Sequence, residues 1–140
     1  MRIVLDTNVW LSAIFWRGEA DKLVKEILNR KIEIIITKEI ISEIVEVLNK
    51  EEKFQKFIEN RKQKIEDLIR TILSISVLIE TKSKFDLIKE NPKDNIILEA
   101  AFDSKSDYIV SYDKHILNML EFREIKILEP KEFLKVVNNK

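Results

Sequence analysis

Four acidic side chains stand where they could do chemistry together: Asp6, Glu43, Asp94 and Asp113. Asp6 directly follows the apolar run Ile3–Leu5, and Asp113 follows the strand-like Tyr108–Ser111 after a single tyrosine. Glu43 lies on the border of an apolar helical face made by Ile40, Ile41, Ile44, Val45 and Leu48. Glu39 and Glu46 fall nearly opposite that face and read as solvated charges. Asp94 opens a helix whose buried face is Ile96, Ile97, Ala100 and Ala101, with Glu99 and Asp103 pointing further away. Carboxylates gathered in one pocket repel one another, so they raise each other's pKa values or recruit a cation. The chain has no Cys and a single histidine, His115, which leaves hard, oxygen-loving Mg²⁺ or Mn²⁺ as the matching ions. Asn8 and Ser111 could add neutral oxygens or orient the waters of such an ion. Each acid also has an ordinary alternative role. Asp is a favoured helix cap, an acid after Pro92 suits a helix start, and a border glutamate can snorkel to solvent.

The elements that must position these acids alternate along the chain. Ile3–Leu5 reads as a buried strand, residues 8–15 as an ambiguous apolar stretch, and residues 20–30 as a helix with Leu23, Val24, Ile27 and Leu28 on one face. Ile32–Ile36 is continuous and β-branched, a second buried strand. Thr37 is placed to cap a helix running to about Leu48. Residues 50–73 are charged but keep a helical period, and Ile75–Ile79 is a candidate third strand. A helix at about 94–103, a strand at Tyr108–Ser111, a short helix at about 114–120, a strand at Lys126–Leu128 and a helix after Pro130 complete the order. Such alternation predicts a single α/β domain over residues 1–140: an α/β/α sandwich around a mostly parallel sheet of about five strands. Ligands of such sheets bind outside the carboxyl ends of the strands. If the Ile3–Leu5 and Tyr108–Ser111 strands are parallel neighbours, Asp6 and Asp113 reach the same sheet edge.

Composition narrows the class of protein. The 140 residues carry 25 basic and 25 acidic side chains, so neither a strongly basic nor a strongly acidic partner surface is advertised. With four acids gathered at one site, 25 basic groups face 21 acidic ones elsewhere, a mild excess that suits a polyanionic substrate. The 45% apolar content is enough for a packed core, and no apolar run approaches the roughly 18 residues of a membrane span. The opening Met-Arg-Ile-Val-Leu-Asp is unlike a secretory signal. A cytoplasmic protein with no membrane partner is therefore expected. The Lys, Glu and Ile bias resembles that of proteins from hot environments, although AT-rich genomes produce the same bias.

Several short motifs, in order, resemble the PIN-domain family, and within it the VapC-like toxins of toxin–antitoxin pairs. They are Leu5-Asp6-Thr7-Asn8, Ile41-Ser42-Glu43-Ile44, Pro92-Lys93-Asp94-Asn95 leading to Ala100-Ala101, Asp107 through Lys114, and the tail Ile125 through Phe133. The resemblance spans essentially the whole chain. It implies that Asp6, Glu43, Asp94 and Asp113 form an acidic metal-binding quartet with Asn8 and Ser111 as polar helpers. Asp6 and Asp94 would be direct ligands of Mg²⁺ or Mn²⁺; Glu43 and Asp113 would hold metal waters, orient the nucleophile or complete a second ion site. Asn8 would fix the Asp6 carboxylate. Three positions depart from the pattern: Asn91 replaces a frequent Asp, Tyr112 a common Gly, and His115 a common Asp. Tyr112 could narrow the pocket mouth or stack on a base, which leaves substrate preference open.

The activity implied is divalent-metal-dependent endoribonuclease cleavage of single-stranded RNA, with a small antitoxin protein as partner and a homodimer as the assembly. RNA also needs a basic approach. Lys50, Lys53, Lys56, Arg61, Lys62 and Lys64 are candidates, as are Lys93, Lys114 and His115 beside the acids, although a self-balanced solvated face reads the same way. Trp10 is expected in the core, and Trp16 in the core or a dimer patch. Two other readings remain. A haloacid-dehalogenase-type phosphatase begins similarly but needs an Asp where this chain has Asn8. A non-catalytic PIN-like interaction module would keep the fold without the chemistry.

Overall fold

The computed structural model of the protein describes residues 1–15, 18–56 and 61–139, without the side chains of residue 19 and residues 61–63. Expectations resting on Trp16, Phe57, Ile58 and the side chains of Arg61 and Lys62 lie outside the described groups. The continuous apolar runs form the centre. Ile3, Val4 and Leu5 of β1 (Arg2–Leu5) and Ile34, Ile35 and Ile36 of β2 (Glu33–Ile36) are all fully buried. Strands buried on both faces require helices on both sides. These are α1 (Thr7–Phe15), α2 (Glu19–Asn29), α3 (Lys38–Lys50), α4 (Glu52–Gln55) and α5 (Arg61–Ser74), followed after the third strand by the later helices.

The sheet continues with β3 (Val77–Leu78), β4 (Tyr108–Val110), β5 (Glu121–Phe122) and β6 (Ile125–Leu128), in the order β3-β2-β1-β4-β6-β5. All neighbours are parallel except β5 against β6. A 3₁₀ turn at Pro92–Asp94 leads into α6 (Asn95–Asp103), α7 (Lys114–Leu117) follows β4, and α8 (Pro130–Asn138) closes the chain. The strand order reverses between β1 and β4. In doubly wound sheets that switch point is where ligands bind, outside the carboxyl ends of the strands.

The expected fold class stands, with differences in detail. The sheet has six strands rather than about five. The added one, β5, is two residues long and turns back onto β6 through Arg123 and Glu124, whose φ values are 47° and 73°. A two-residue hairpin needs both central residues at positive φ and usually advertises itself with Asn-Gly; Arg-Glu carries no such signal. The ambiguous stretch at 8–15 is helical, and the predicted helix at 94–103 begins at Asn95, leaving Asp94 in the turn before it. Thr37 caps α3 as expected, its hydroxyl oxygen accepting from the Ile40 amide at 3.2 Å.

Between β3 and the 3₁₀ turn, residues 79–91 run as an irregular strap. Its backbone is held by one stripe of α6. Asn95 accepts from the Leu87 and Ile88 amides, Glu99 from Phe85, and Asp103 from Lys82 and Ser83. Spaced four apart, these residues share one helix face. Glu99 and Asp103, expected to point away from the buried face, are instead turned to the strap, and Glu99 is only 4% exposed. Glu39 likewise departs from the expected solvated charge. It is half-buried, with Oε1 accepting from the Thr81 hydroxyl at 3.2 Å.

Candidate functional site

The switch point brings the strand-end acids together through backbone register. Leu5 of β1 pairs with Val110 of β4, so Asp6 and Ser111 leave adjacent strands side by side. The Asp6 amide donates to the Val110 carbonyl at 2.9 Å, and the Ser111 amide to Leu128 at 3.0 Å, which fixes both positions before any side chain acts. The Ser111 hydroxyl then donates to Asp6 Oδ2 at 2.7 Å and accepts from the Asp113 amide at 2.9 Å. One buried hydroxyl thus couples the ends of two strands. The other Asp6 oxygen, Oδ1, accepts from the Thr7 amide at 2.7 Å.

Asp6 is 4% exposed. Burial pushes its carboxyl above the usual range, the Ser111 and Thr7 hydrogen bonds oppose that, and the charge of Asp113 adds to it. Glu43 reaches the same region from α3. Its carboxyl is raised by burial and then by Asp6, with the Thr7 hydroxyl and Lys93 pulling the other way. Asp113 is at once a cap of α7, its Oδ1 accepting from the His115 amide at 2.8 Å, and a charge felt by Asp6 and Asp94. The cap and the site are therefore one arrangement rather than alternatives.

Asp94 is the most perturbed of the four. It sits at the end of the 3₁₀ turn, 4% exposed, with Oδ2 buried and without a hydrogen-bond partner. Burial is the largest cause of its shift. The charges of Asp113 and Asp6, a carboxyl–carboxyl contact with Asp113, and Glu43 complete it, so that Asp94 is pushed up to about 8. The turn that carries it is set by Asn95. Nδ2 of Asn95 donates to the Pro92 and Ile88 carbonyls at 2.9 and 3.1 Å, while its Oδ1 takes the two strap amides.

Of the neutral helpers, Ser111 is at the centre and Asn8 is not. Asn8 is exposed on α1 beside Ser12 and Phe54 and makes no hydrogen bond to Asp6. The expected hold on Asp6 comes from Ser111 and the Thr7 amide instead. Thr7 was legible only as a member of the Leu5-Asp6-Thr7-Asn8 run; its buried hydroxyl lies toward Glu43 and opposes the rise of that carboxyl.

The donor set is wholly oxygen, which suits a hard cation. Among the described residues, however, no three carboxylate or imidazole groups stand close enough to form a ready coordination shell. What the structure shows is a field of negative charge with an orphaned carboxylate oxygen in it. Asp94 Oδ2 is a buried acceptor lacking a partner, and such a group ordinarily finds one in a water or an ion. A divalent cation would satisfy Asp94 and relieve the repulsion that adds to burial in raising Asp6, Glu43 and Asp94, so the residues fit one by chemistry.

The sequence matches the PIN domain family over residues 2–115. No curated protein sequence matches it. Among solved structures, VapBC2 from Rickettsia felis, crystallised bound to a DNA fragment from its promoter, is similar with a TM-score of 0.65 at 15% identity, over 92% of this chain and 98% of that one. PAE2754 from Pyrobaculum aerophilum is similar with a TM-score of 0.59 at 15% identity, each chain covered in full. At that identity the likeness is one of fold.

Proposed function

The chain belongs to the PIN domain family, and from that premise we propose that it is a Mg²⁺- or Mn²⁺-dependent endoribonuclease acting on single-stranded RNA, the toxin of a toxin–antitoxin pair. The observation that carries the reading is Asp94: a carboxyl with an unpartnered oxygen, raised by burial and then by three other acids at the switch point of the sheet. Strongly perturbed acids in such a place mark functional sites more often than structural ones.

Asp94 and Asp6 would hold the cation directly, with Asp113 and Glu43 around them. A bound divalent cation supplies an acidified water and charge stabilisation at the scissile phosphate. The chain's own residues do the rest. Ser111 and the Thr7 amide fix both oxygens of Asp6, so its orientation does not depend on the ligand. Asn95 fixes the turn that carries Asp94. Glu43, half-buried and raised by burial, would orient or accept a proton from an attacking water. An antitoxin partner is supported by the fold shared with VapBC2 of Rickettsia felis.

The test is cleavage of single-stranded RNA by purified protein with Mg²⁺ or Mn²⁺. Activity should vanish with EDTA and in folded Asp6→Asn and Asp94→Asn variants. A second reading, a non-catalytic interaction module, is favoured by the lack of a formed three-acid shell among the described residues. Calorimetry separates the two, because a wild-type protein that takes up no divalent ion cannot be the enzyme proposed. The phosphatase alternative finds no second carboxylate at Asn8, which lies exposed and off the Asp6 carboxylate.

A further inference from the structure

Next to the acidic edge, α3 and α6 leave a cleft of about 330 Å³ whose lining includes Lys38, Ser42, Glu43, Glu46, Lys93 and Ile96. Glu43 belongs to both the cleft and the acidic site, so the two are continuous. The cleft's charges are arranged unevenly. Oε1 of Glu46 accepts from Lys50 at 2.7 Å and from Lys93 at 3.0 Å, so two ammonium groups share one carboxylate oxygen. Lys93 is thus only partly neutralised, and its side chain is 63% exposed. Lys38, the first residue of α3, is exposed and has no ion pair among the described residues. Ile96 gives the cleft an apolar patch, and Ser42 a hydroxyl.

Two lysines of the lining, Lys38 and Lys93, face three glutamates, Glu39, Glu43 and Glu46, and Lys50 shares Glu46 from outside it. A divalent cation held by Glu43 and the aspartates would offset one of those acids and leave the exposed ammonium groups of Lys38 and Lys93 to meet an anion beside the reacting centre. Lys93 and Asp94 are successive residues of one 3₁₀ turn. An anion held by Lys93 is therefore held in fixed relation to Asp94. A compact, mobile ammonium suits a phosphate better than it suits a directional neutral ligand.

We propose that this cleft receives the phosphodiester backbone of single-stranded RNA beside the scissile bond, with Lys93 and Lys38 as its phosphate contacts. Its expected substrate rests on the ribonuclease reading; its binding chemistry can be measured without cleavage. Each lysine that meets a phosphate releases condensed counterions, so the logarithm of the binding constant falls with the logarithm of salt concentration by about 0.7 per contact on a single strand.

The experiment is fluorescence anisotropy of a labelled single-stranded RNA dodecamer, titrated with wild type, Lys93→Ala and Lys38→Ala over a salt series, in EDTA and in CaCl₂. Each variant should flatten the salt slope by about 0.7 and weaken binding at low salt, with an unchanged melting temperature. In turnover, KM should rise while kcat holds. Slopes identical in all three proteins, or a wild type that binds no RNA, would overturn the cleft assignment. If wild type binds with the steep slope, loses it in the variants, and yet cuts nothing with Mg²⁺ or Mn²⁺, the phosphate cleft stands and the ribonuclease reading falls.

Discussion

The two ends of α6 treat an aspartate in opposite ways. At its start, Asp94 is buried among three other acids, has an unpartnered oxygen and is pushed up to about 8. At its end, Asp103 is subject to burial too, but the Ser83 hydroxyl and amide and the Lys82 amide outweigh it and hold the carboxyl below its usual range. Glu99, between them, is as buried as Asp94 and takes the Phe85 amide at 2.9 Å. Burial of an acid is therefore not what marks the site. Partners are: the strap gives Glu99 and Asp103 donors, whereas the sheet edge gives Asp94 only further carboxylates.

That contrast can be broken most severely at Asp94 itself. Asp94→Asn should cost at least about a hundredfold in RNA cleavage and leave the fold intact, read by gel assay alongside circular dichroism. Full activity in the folded variant would remove Asp94 from the chemistry. The Ser111→Ala change should cost about 10–100-fold in metal affinity or activity, because Asp6 loses its hydroxyl donor and the Asp113 amide its acceptor.

Stability against pH sharpens the comparison next. A folded-state pKa near 8 for Asp94 against about 4 in the unfolded chain means that the native protein binds more protons between those values. Metal-free stability should therefore decline as pH rises from about 4 to 8, on the order of a few kcal/mol, with the upward shifts of Asp6 and Glu43 acting in the same sense. Asp94→Asn should flatten that decline. Asp103 has the opposite sign: its contribution is present above about pH 4 and lost as pH falls below it. Urea melts across pH, without divalent ions, give both slopes. Adding Mg²⁺ or Mn²⁺ at 100 times its dissociation constant should restore about 2.7 kcal/mol at pH 8, and less at pH 5, where protons compete for the ligands.

The smallest effect belongs to the satisfied end. Glu99→Ala strands the Phe85 amide and should cost about 1–3 kcal/mol, with divalent-ion affinity unmoved by calorimetry. A loss of metal binding there would show that strap and site are coupled, contrary to the separation drawn above.

What could be seen beforehand followed from position along strands. Asp6 and Asp113 sit one and three residues past apolar strands, so a parallel pairing alone brings them to one edge. Ser111 was visible as a nearby oxygen, but its double role depends on register between residues 105 apart, which no local pattern encodes. Asn8 misled because proximity in sequence is not proximity on a helix: Thr7 and Asn8 leave α1 about 100° apart. Glu99 and Asp103 read as pointing away from the buried face, yet the strap covers Glu99 to 4% exposure, and that strap has no period to announce it. The hairpin at 121–128 was hidden by Arg123 and Glu124 at positive φ. Their conformation is supported from outside the turn, since the Arg123 guanidinium lies 4.8, 5.0 and 5.2 Å from the rings of Phe85, Phe102 and Phe122.

The strap also changes what a slow-exchanging amide would mean in this protein. The N–H groups of Lys82, Ser83, Phe85, Leu87 and Ile88 are tied to side chains of a single helix rather than to a neighbouring strand. Their protons should exchange together, at a rate set by lifting the segment off α6. A stretch without regular structure would then report on hydrogen exchange as one cooperative unit.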